Sequence, residues 1–474
     1  MSPVCRSLVF CCSAALFACT SYRPSPLDTD ALLAGIRAVR PSPEPQDGLD
    51  LATAAIWLSD SSPIVRESIA RFRSRAARAK VSAAWPDPEI RFGPQWASGS
   101  ALDGAKLTAF ADLSLRIPLG ARIAAAQDLD SARAEVARLD AILALREEQL
   151  LLRSDWTLAA LARQRSGLAH DLETLAQRSV QLGEAMVQAG GFAAGELEAL
   201  RVEAATRSAD VYGEELAQVE RDRALALRLG VDVARVERLR GDLPQAPSET
   251  PDAASLAGLA AAHRPALIRL RGEYQLAERR LRLEIEKQWP DLVLAPSLSD
   301  EPGEDKSVFA LGIGLSLPLF DRNAKGVAEA DAERDEYRER YATELRRTLT
   351  VLDGDLAAIA SARRRQASIE DGLLPAATRA VELARRTADA GSGDALHLLD
   401  AMRSLARARF AALDARTATL RAWFALEQDV GVPLLVFDPS PPPAALPVVL
   451  QTPVSDHTAR AVAPATVPAA EERR

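Results

Sequence analysis

Cysteine is missing from all but the start of this 474-residue chain: Cys5, Cys11, Cys12 and Cys19 are the whole complement. The rest therefore has no disulfide framework, no cysteine metal site and no thiol nucleophile. Histidine is as scarce, with His170, His263, His397 and His457 scattered along the chain. Aromatic residues make up only 5%, which suits long helices of Ala, Leu, Arg and Glu better than a conventional globular core. Basic residues are not in excess: 58 of them against 66 acidic ones give a formal net charge of −8, which argues against a nucleic-acid partner. No run after Cys19 offers the roughly 18 consecutive apolar residues of a transmembrane helix, so any membrane crossing would be made of strands. Gly-x-Ser-x-Gly, His-Glu-x-x-His and phosphate-loop motifs are all absent. The expectation is of no enzyme, no cofactor and no resident metal.

What the first residues do contain is an address. Arg6 precedes a short apolar run over residues 8–18 that ends in small side chains, the build of a secretory signal peptide. Leu16-Phe17-Ala18-Cys19 resembles a bacterial lipobox, with Phe17 bulkier than usual there. Cys19 is thus the candidate lipidated N-terminus of the mature chain, held by several acyl chains, and by resemblance to lipoprotein sorting Thr20, a residue other than Asp at the next position, suits the outer membrane.

The chain is also written twice. Trp85-Pro86-Asp87 returns as Trp289-Pro290-Asp291, and Leu115-Arg116-Ile117-Pro118-Leu119 returns as Leu315-Ser316-Leu317-Pro318-Leu319. Ala189-Gly190 matches Ala390-Gly391, and Leu229-Gly230-Val231 matches Val430-Gly431-Val432. These anchors divide the chain into a signal peptide (1–18), a lipidated segment (19–45), a first repeat (46–242), a linker (243–251), a second repeat (252–437) and a Pro-rich tail (438–474) expected to be disordered,. Each repeat carries a hairpin, about 88–119 and about 291–319, followed by helices over 120–230 and 321–430.

Within the hairpins the periodicity is two. Leu107, Ala109, Ala111, Leu113, Leu115, Ile117 and Leu119 are apolar, while Thr108, Asp112, Ser114 and Arg116 fall between them,. Ile90, Phe92, Pro94 and Trp96 form the matching series before them, and Leu292 to Leu298 and Phe309 to Leu319 repeat the pattern. Strands of this length can cross a bilayer when tilted; half-buried soluble hairpins are the alternative. After each hairpin the pattern turns helical, with Leu129, Val136, Leu143 and Leu150 at heptad spacing and then, after a stutter, Leu161, Leu168, Leu175 and Leu182,. The second repeat has Leu345, Leu352 and Ile359 and an expected kink at Pro375,. Both rods end in glycine turns, Gly190-Gly191 and Gly391-Ser392-Gly393, from which a shorter helix returns.

Taken together, these features resemble the TolC family of outer-membrane efflux channels over about residues 45–435, and Pro318-Leu319-Phe320-Asp321-Arg322-Asn323 is similar to its cation-efflux branch. The resemblance implies a mainly α fold with a small β part: a long α-helical barrel and four transmembrane β-strands per chain, closing as a twelve-stranded β-barrel in a homotrimer. It implies a passive exit channel of a tripartite efflux pump, in the outer membrane with a long periplasmic extension. Its partners would be a periplasmic adaptor and an inner-membrane RND-type transporter, and its cargo heavy-metal cations or drugs. In the family, two acidic residues three apart line the closed periplasmic entrance; here those positions hold His397 and Asp400, with Asp394 opening the helix and Glu196 in the matching place of the first repeat. A type I secretion duct would keep the mechanism and change the cargo. A non-porous, envelope-spanning coiled-coil lipoprotein would have no use for four strands with continuous apolar faces.

Overall fold

The computed structural model describes residues 22–38, 41–45, 47–81, 84–97, 106–188, 193–247, 249–300, 306–389, 395–437 and 446–451. The signal peptide, Cys19, both glycine turns, Asp394 and residues 452–474 lie outside them. Two units form, Met1–Pro41 and Ser42–Arg474. Among its described residues the first holds α1 (Thr29–Ala38), whose residues are exposed throughout and whose start is braced by Asp28 accepting from the Ala31 N–H.

In the second unit, Asp50 and Asp252 open the two repeats alike. Asp50 accepts from the Thr53 N–H at 2.7 Å and Asp252 from the Ser255 N–H at 2.8 Å, each satisfying an orphan donor of a helix start. The helices so capped, α2 (Leu51–Ser61) and, in the second repeat, its counterpart Ala253–His263, are short because Pro63 and Pro265 follow. Proline cannot continue a helix but is well placed to begin one, and α3 (Pro63–Lys80) starts there. Then come β1 (Glu89–Ala97), β2 (Lys106–Pro118), α4 (Arg122–Gln188) and α5 (Ala194–Leu229). The second repeat runs α6 (Ala253–His263), α7 (Pro265–Glu286), β3 (Asp291–Asp300), β4 (Ser307–Leu315), α8 (Ala324–Ala367), α9 (Leu374–Asp389) and α10 (Ala395–Val430). At about 1.5 Å per residue, the 67 residues of α4 span roughly 100 Å,.

The four strands make one antiparallel sheet in the order β1-β2-β3-β4, so β1 and β4 are its edges. Next to the sheet, α3, α4, α7 and α8 lie side by side in that order. Ion pairs stitch this layer, Arg279 to Asp128 at 3.3 Å and Arg264 to Glu344 at 3.3 Å, and tie it to the sheet through Arg122 and Asp291 at 3.0 Å. Farther along the rods the order becomes α5, α4, α10, α9. In every layer one edge belongs to the first repeat and the other to the second.

The two layers meet in a core of Trp57, Trp156, Trp423, Phe424, Leu145, Leu152, Leu225 and Leu256, all within 2% of complete burial. Each such side chain contributes about 1.5–3 kcal/mol by leaving water. Gly230 and Gly431 end the return helices α5 and α10 there, with φ of 68° and 84°. A Cβ on Gly230 would press on the Ser61 carbonyl, and one on Gly431 on the His263 carbonyl, so each glycine packs against the break before the proline of its own repeat.

Several expectations meet a different chain. The Leu161 heptad series leaves the buried seam of the lower α4 after its first member: Leu161 is buried, Leu168 and Leu175 are half-buried and Leu182 is 61% exposed, while Ser166, Ala169, Leu172, Ala176 and Gly183 are buried. Small residues let α5 approach closely, so the leucines point elsewhere. Near Pro375 the rod does not simply kink; Ser368–Leu373 is a π-helical turn, which loosens the backbone where the proline ring would strike the carbonyl four residues back. β4 stops at Leu315, short of Leu319. The tail is not all disordered, because α11 (Val448–Gln451) docks with Leu450 fully buried and its carbonyl held by Arg138 at 2.9 Å.

Candidate channel wall and rod-end site

The strand register decides which side chains share a face. Ile90 lies opposite Leu113, Phe92 opposite Ala111 and Trp96 opposite Leu107. Leu115 faces Leu294 and Ile117 faces Leu292, while Leu294 faces Ile313 and Leu298 faces Phe309. All four apolar series therefore fall on one face of the sheet, and that face is open: Phe92, Trp96, Phe309 and Ile313 are each at least 70% exposed. An apolar sheet face of this extent, with no helix over it, is the surface of a protein made to meet something apolar.

The other face is polar and lined with small residues. Arg91 pairs with Asp112 at 3.0 Å, the Thr108 hydroxyl donates to the Gln95 carbonyl at 3.2 Å, and Gly93 lies under the ring of Phe110, which with Val293 and Val308 interrupts the polar series. Asp291, at the foot of β3, is held by Arg122 from the start of α4, which ties the wall to the rod beneath it. Asn323 stands at the N-cap of α8 without a side-chain cap bond and gives its amide to Glu284 at 2.8 Å. Asp321 in turn accepts from the Asn323 N–H at 2.9 Å.

At the far end of the rods, Glu196 and His397 sit in the first turns of the two return helices, with Asp400 in the second turn of α10. Glu196 folds back to accept the Ala193 N–H at 3.0 Å, half of a capping box. His397 and Asp400 are exposed on either side of the buried Leu399, and Asp400 has no ion pair among the described residues. Just behind them Arg403 of α10 reaches Glu203 of α5 at 2.6 Å, so the return helices of the two repeats are bound to each other near this end. Both helix starts thus lie at the same end of the bundle, with Asp400 directed to solvent.

Two charged clusters in the core escaped the sequence reading. Arg153 of α4 donates to Glu427 of α10 at 3.0 Å and to the Leu435 carbonyl at 2.7 Å. Glu427 also accepts the backbone N–H groups of Leu434 and Leu435 at 2.7 and 2.6 Å. The two side chains are 11% and 0% exposed, and Phe437 covers the guanidinium at 4.5 Å. The second cluster joins Arg264 to Asp429 at 2.9 Å beside Asp355. Burial, then the neighbouring Asp429 carboxylate, pushes the Asp355 carboxyl up to about 6 against the pull of Arg264,. The only forewarning was an isolated charge on an otherwise apolar helix face.

A mostly helical chain with a small four-stranded sheet, apolar on its open face and polar on the other, standing on paired long rods, has the build of an outer-membrane channel subunit. The family model described as Outer membrane efflux protein matches residues 256–432, the second repeat, so the resemblance drawn from the sequence holds. The cobalt-zinc-cadmium resistance protein CzcC of Cupriavidus metallidurans is 24% identical over 275 residues; the match takes in 57% of this chain and 64% of that relative's length. Among solved structures, the outer membrane protein VceC of Vibrio cholerae shares the fold with a TM-score of 0.65 at 17% identity, over 81% of this chain and 96% of its own. A membrane protein of Pseudomonas aeruginosa does so with a TM-score of 0.67 at 17% identity, over 81% and 90%. CusC, whose structures describe transmembrane channel formation, gives 0.62 at 16% identity over 88% and 99%.

Proposed function

We propose that three copies of this chain form a passive exit duct through the bacterial outer membrane, the last stage of a tripartite efflux pump. The observation that carries this reading is the sheet. Four strands cannot close a barrel, a membrane strand cannot leave its edge unpaired, and the apolar face needs lipid. Pooling four strands from each of three copies answers all of these at once, and puts the polar face, with Arg91, Asp112 and Arg116, around a water-filled lumen. The free edges of the helical layers close the periplasmic barrel in the same ring. Energy would come from an inner-membrane RND-type transporter coupled through a periplasmic adaptor. Cys19 anchors the N-terminus in outer-membrane lipid, and an acylated Cys19 in mass spectra of the mature N-terminal peptide is the expected result.

Metal cations are the favoured cargo, on the similarity to CzcC. Around a threefold axis Asp400 becomes three converging carboxylates with His397 a turn away, and Asp394 and Glu196 add charge to the same entrance, which favours cations. Single-channel recording in planar bilayers tests both parts. The purified protein should conduct with cation selectivity, and Asp400→Ala should reduce selectivity and divalent-cation block. A protein that never conducts would refute the duct. Unchanged selectivity in Asp400→Ala and Glu196→Ala would move the constriction elsewhere.

A further inference from the structure

Where the second repeat turns at Gly431, a cleft of about 580 Å³ opens between that turn and the first repeat's α2 and α4. Its floor is apolar: Leu51, Ala55 and Leu150 are each more than nine-tenths buried, and Leu434 lies beside them. Its polar side chains are Arg146, Gln149, Arg153 and His263, and no carboxylate is among the lining residues. In a chain with more acidic than basic residues, that is a choice of sign. The cleft between α3, α4, α7 and α8 makes no such choice, because Asp140, Glu273 and Glu333 face Arg75 and Arg280 across it.

The donors at this cleft are unspent. Arg146, Gln149 and the His263 side chain make no hydrogen bond or ion pair among the described residues, and the carboxylates next along α4, Glu147 and Glu148, are taken by Arg269 and Arg228. Arg153, nine-tenths buried, gives Nε and Nη2 to Glu427 and the Leu435 carbonyl, which leaves Nη1 without an acceptor among the described residues. The backbone adds one more. In the first repeat the Val231 N–H closes on the Ala226 carbonyl at 3.0 Å, whereas in the second the Gly431 N–H reaches the Glu427 carbonyl at 2.8 Å and the Val432 N–H at the cleft finds no acceptor among the described residues. Nor is the basic lining a by-product of the duplication. On the offset that pairs Leu152 with Leu352, Asp353 stands for Arg153, and on the offset that pairs Gly230 with Gly431, Asp232 stands for Pro433.

We propose that this cleft binds a single-chain amphiphile with an anionic head, a carboxylate or a phosphate ester. Arg146 and the free edge of Arg153 hold the head by charge-assisted hydrogen bonds, and the chain lies on Leu51, Ala55 and Leu150. The volume is that of a small-molecule site. A peptide fits the same groove poorly, because an added strand needs free main-chain groups. Here the Leu434 and Leu435 N–H groups are spent on Glu427, the Leu435 carbonyl on Arg153, and the N–H and carbonyl of Val436 on Gln245. The ligand would bridge the first repeat's long rod and the turn that ends the second repeat's return helix. The site lies within one chain and stands whether or not three copies form a ring.

Photolabelling tests the site. The full-length protein in nanodiscs of zwitterionic lipid is irradiated with diazirine-tagged dodecanoate, and labelled peptides are mapped by mass spectrometry. Labels should fall on residues 146–153 and 431–436. Excess dodecanoate or dodecyl phosphate should remove them, the stronger competitor identifying the head, whereas dodecyl maltoside, with the same chain and no charge, should not. Arg146→Glu should lower this labelling about tenfold, as expected for the loss of one charge-assisted hydrogen bond, and Arg146→Lys should restore most of it. Ala55→Trp should abolish it by filling the floor. Labelling of the apolar sheet face by probe dissolved in the nanodisc lipid is the internal reference and should stay constant in every variant. Labels missing from both segments, removed equally by the maltoside, or unchanged in Arg146→Glu and Ala55→Trp overturn the proposal. Displacement by an acidic, leucine-rich peptide at the concentration at which dodecanoate displaces the probe would make this a peptide site and overturns it as well.

Discussion

Asp355 shows what a single half-buried carboxyl costs. Its carboxyl is raised to about 6, chiefly by burial and next by Asp429. A carboxyl whose folded value lies above its unfolded value binds protons more tightly in the folded state. Its contribution is complete below about pH 4, and is lost as pH rises through about 6. At pH 7.5 the unprotonated group therefore burdens the fold, and Asp355→Asn, which donates a hydrogen bond at any pH, should stabilise by about 1 kcal/mol once partial solvent access is allowed for. At pH 4 the same substitution should be nearly neutral. Chemical denaturation at the two pH values measures the difference, and an equal effect at both would place the burden elsewhere. The Arg153 and Glu427 pair is the opposite case: the buried carboxylate is met by the guanidinium and by two backbone N–H groups, and what it secures is the hold of the first repeat's long rod on the chain end of the second.

At the scale of elements, glycines separate into those that shape the fold and those that only weaken it. Gly431 has a positive φ, and a Cβ there would collide with the His263 carbonyl. Gly354 lies inside α8 with nothing within 4 Å. Gly431→Ala should lower the thermal midpoint and cost about 1–3 kcal/mol, while Gly354→Ala should raise it by about 0.5–1 kcal/mol through helix propensity alone. Matching changes in the two would mean that neither backbone nor packing sets their roles. Most elements were legible because their signals are local. Alternation marked the strands, proline-free heptads marked the rods, and Trp-Pro-Asp and the paired glycines marked the repeat. What was not legible depends on partners distant in sequence. The seam of α4 moves from Leu168 and Leu175 to Ala169 and Ala176 because α5 comes close, and the core role of Arg153 exists only once Glu427 is folded beside it. Glu196 was read as a charge at an entrance, and its carboxylate also holds the Ala193 N–H.

For the whole molecule, the two faces of the sheet allow a direct test of which way the wall is turned. Arg at Ile313, mid-strand on the apolar face, should cost about 2–4 kcal/mol and reduce the amount of protein inserted in the outer membrane. Arg at Gly314, one residue along, should be tolerated far better and should lower conductance by narrowing the lumen. Insertion and conductance measured together distinguish the faces, and the reverse pattern would turn the wall inside out. The charges along the rods matter less for such tests: Arg269 with Glu147, Arg279 with Asp128 and Arg207 with Glu203 bind neighbouring helices to one another or brace one helix along its own face. They align the staves.

One contrast between the repeats has a mechanical meaning. The rod of the first repeat runs unbroken from Arg122 to Gln188, whereas the rod of the second is interrupted by the π-helical turn Ser368–Leu373 and Pro375. A continuous helix carries a bending load along its whole length, but a rod with a joint concentrates the strain at the joint. A ring of three such chains would alternate three stiff struts with three hinged ones, all hinged at one height. Force applied at the free end would leave the struts standing and fold the hinged rods at a common level, as an iris turns on its pins.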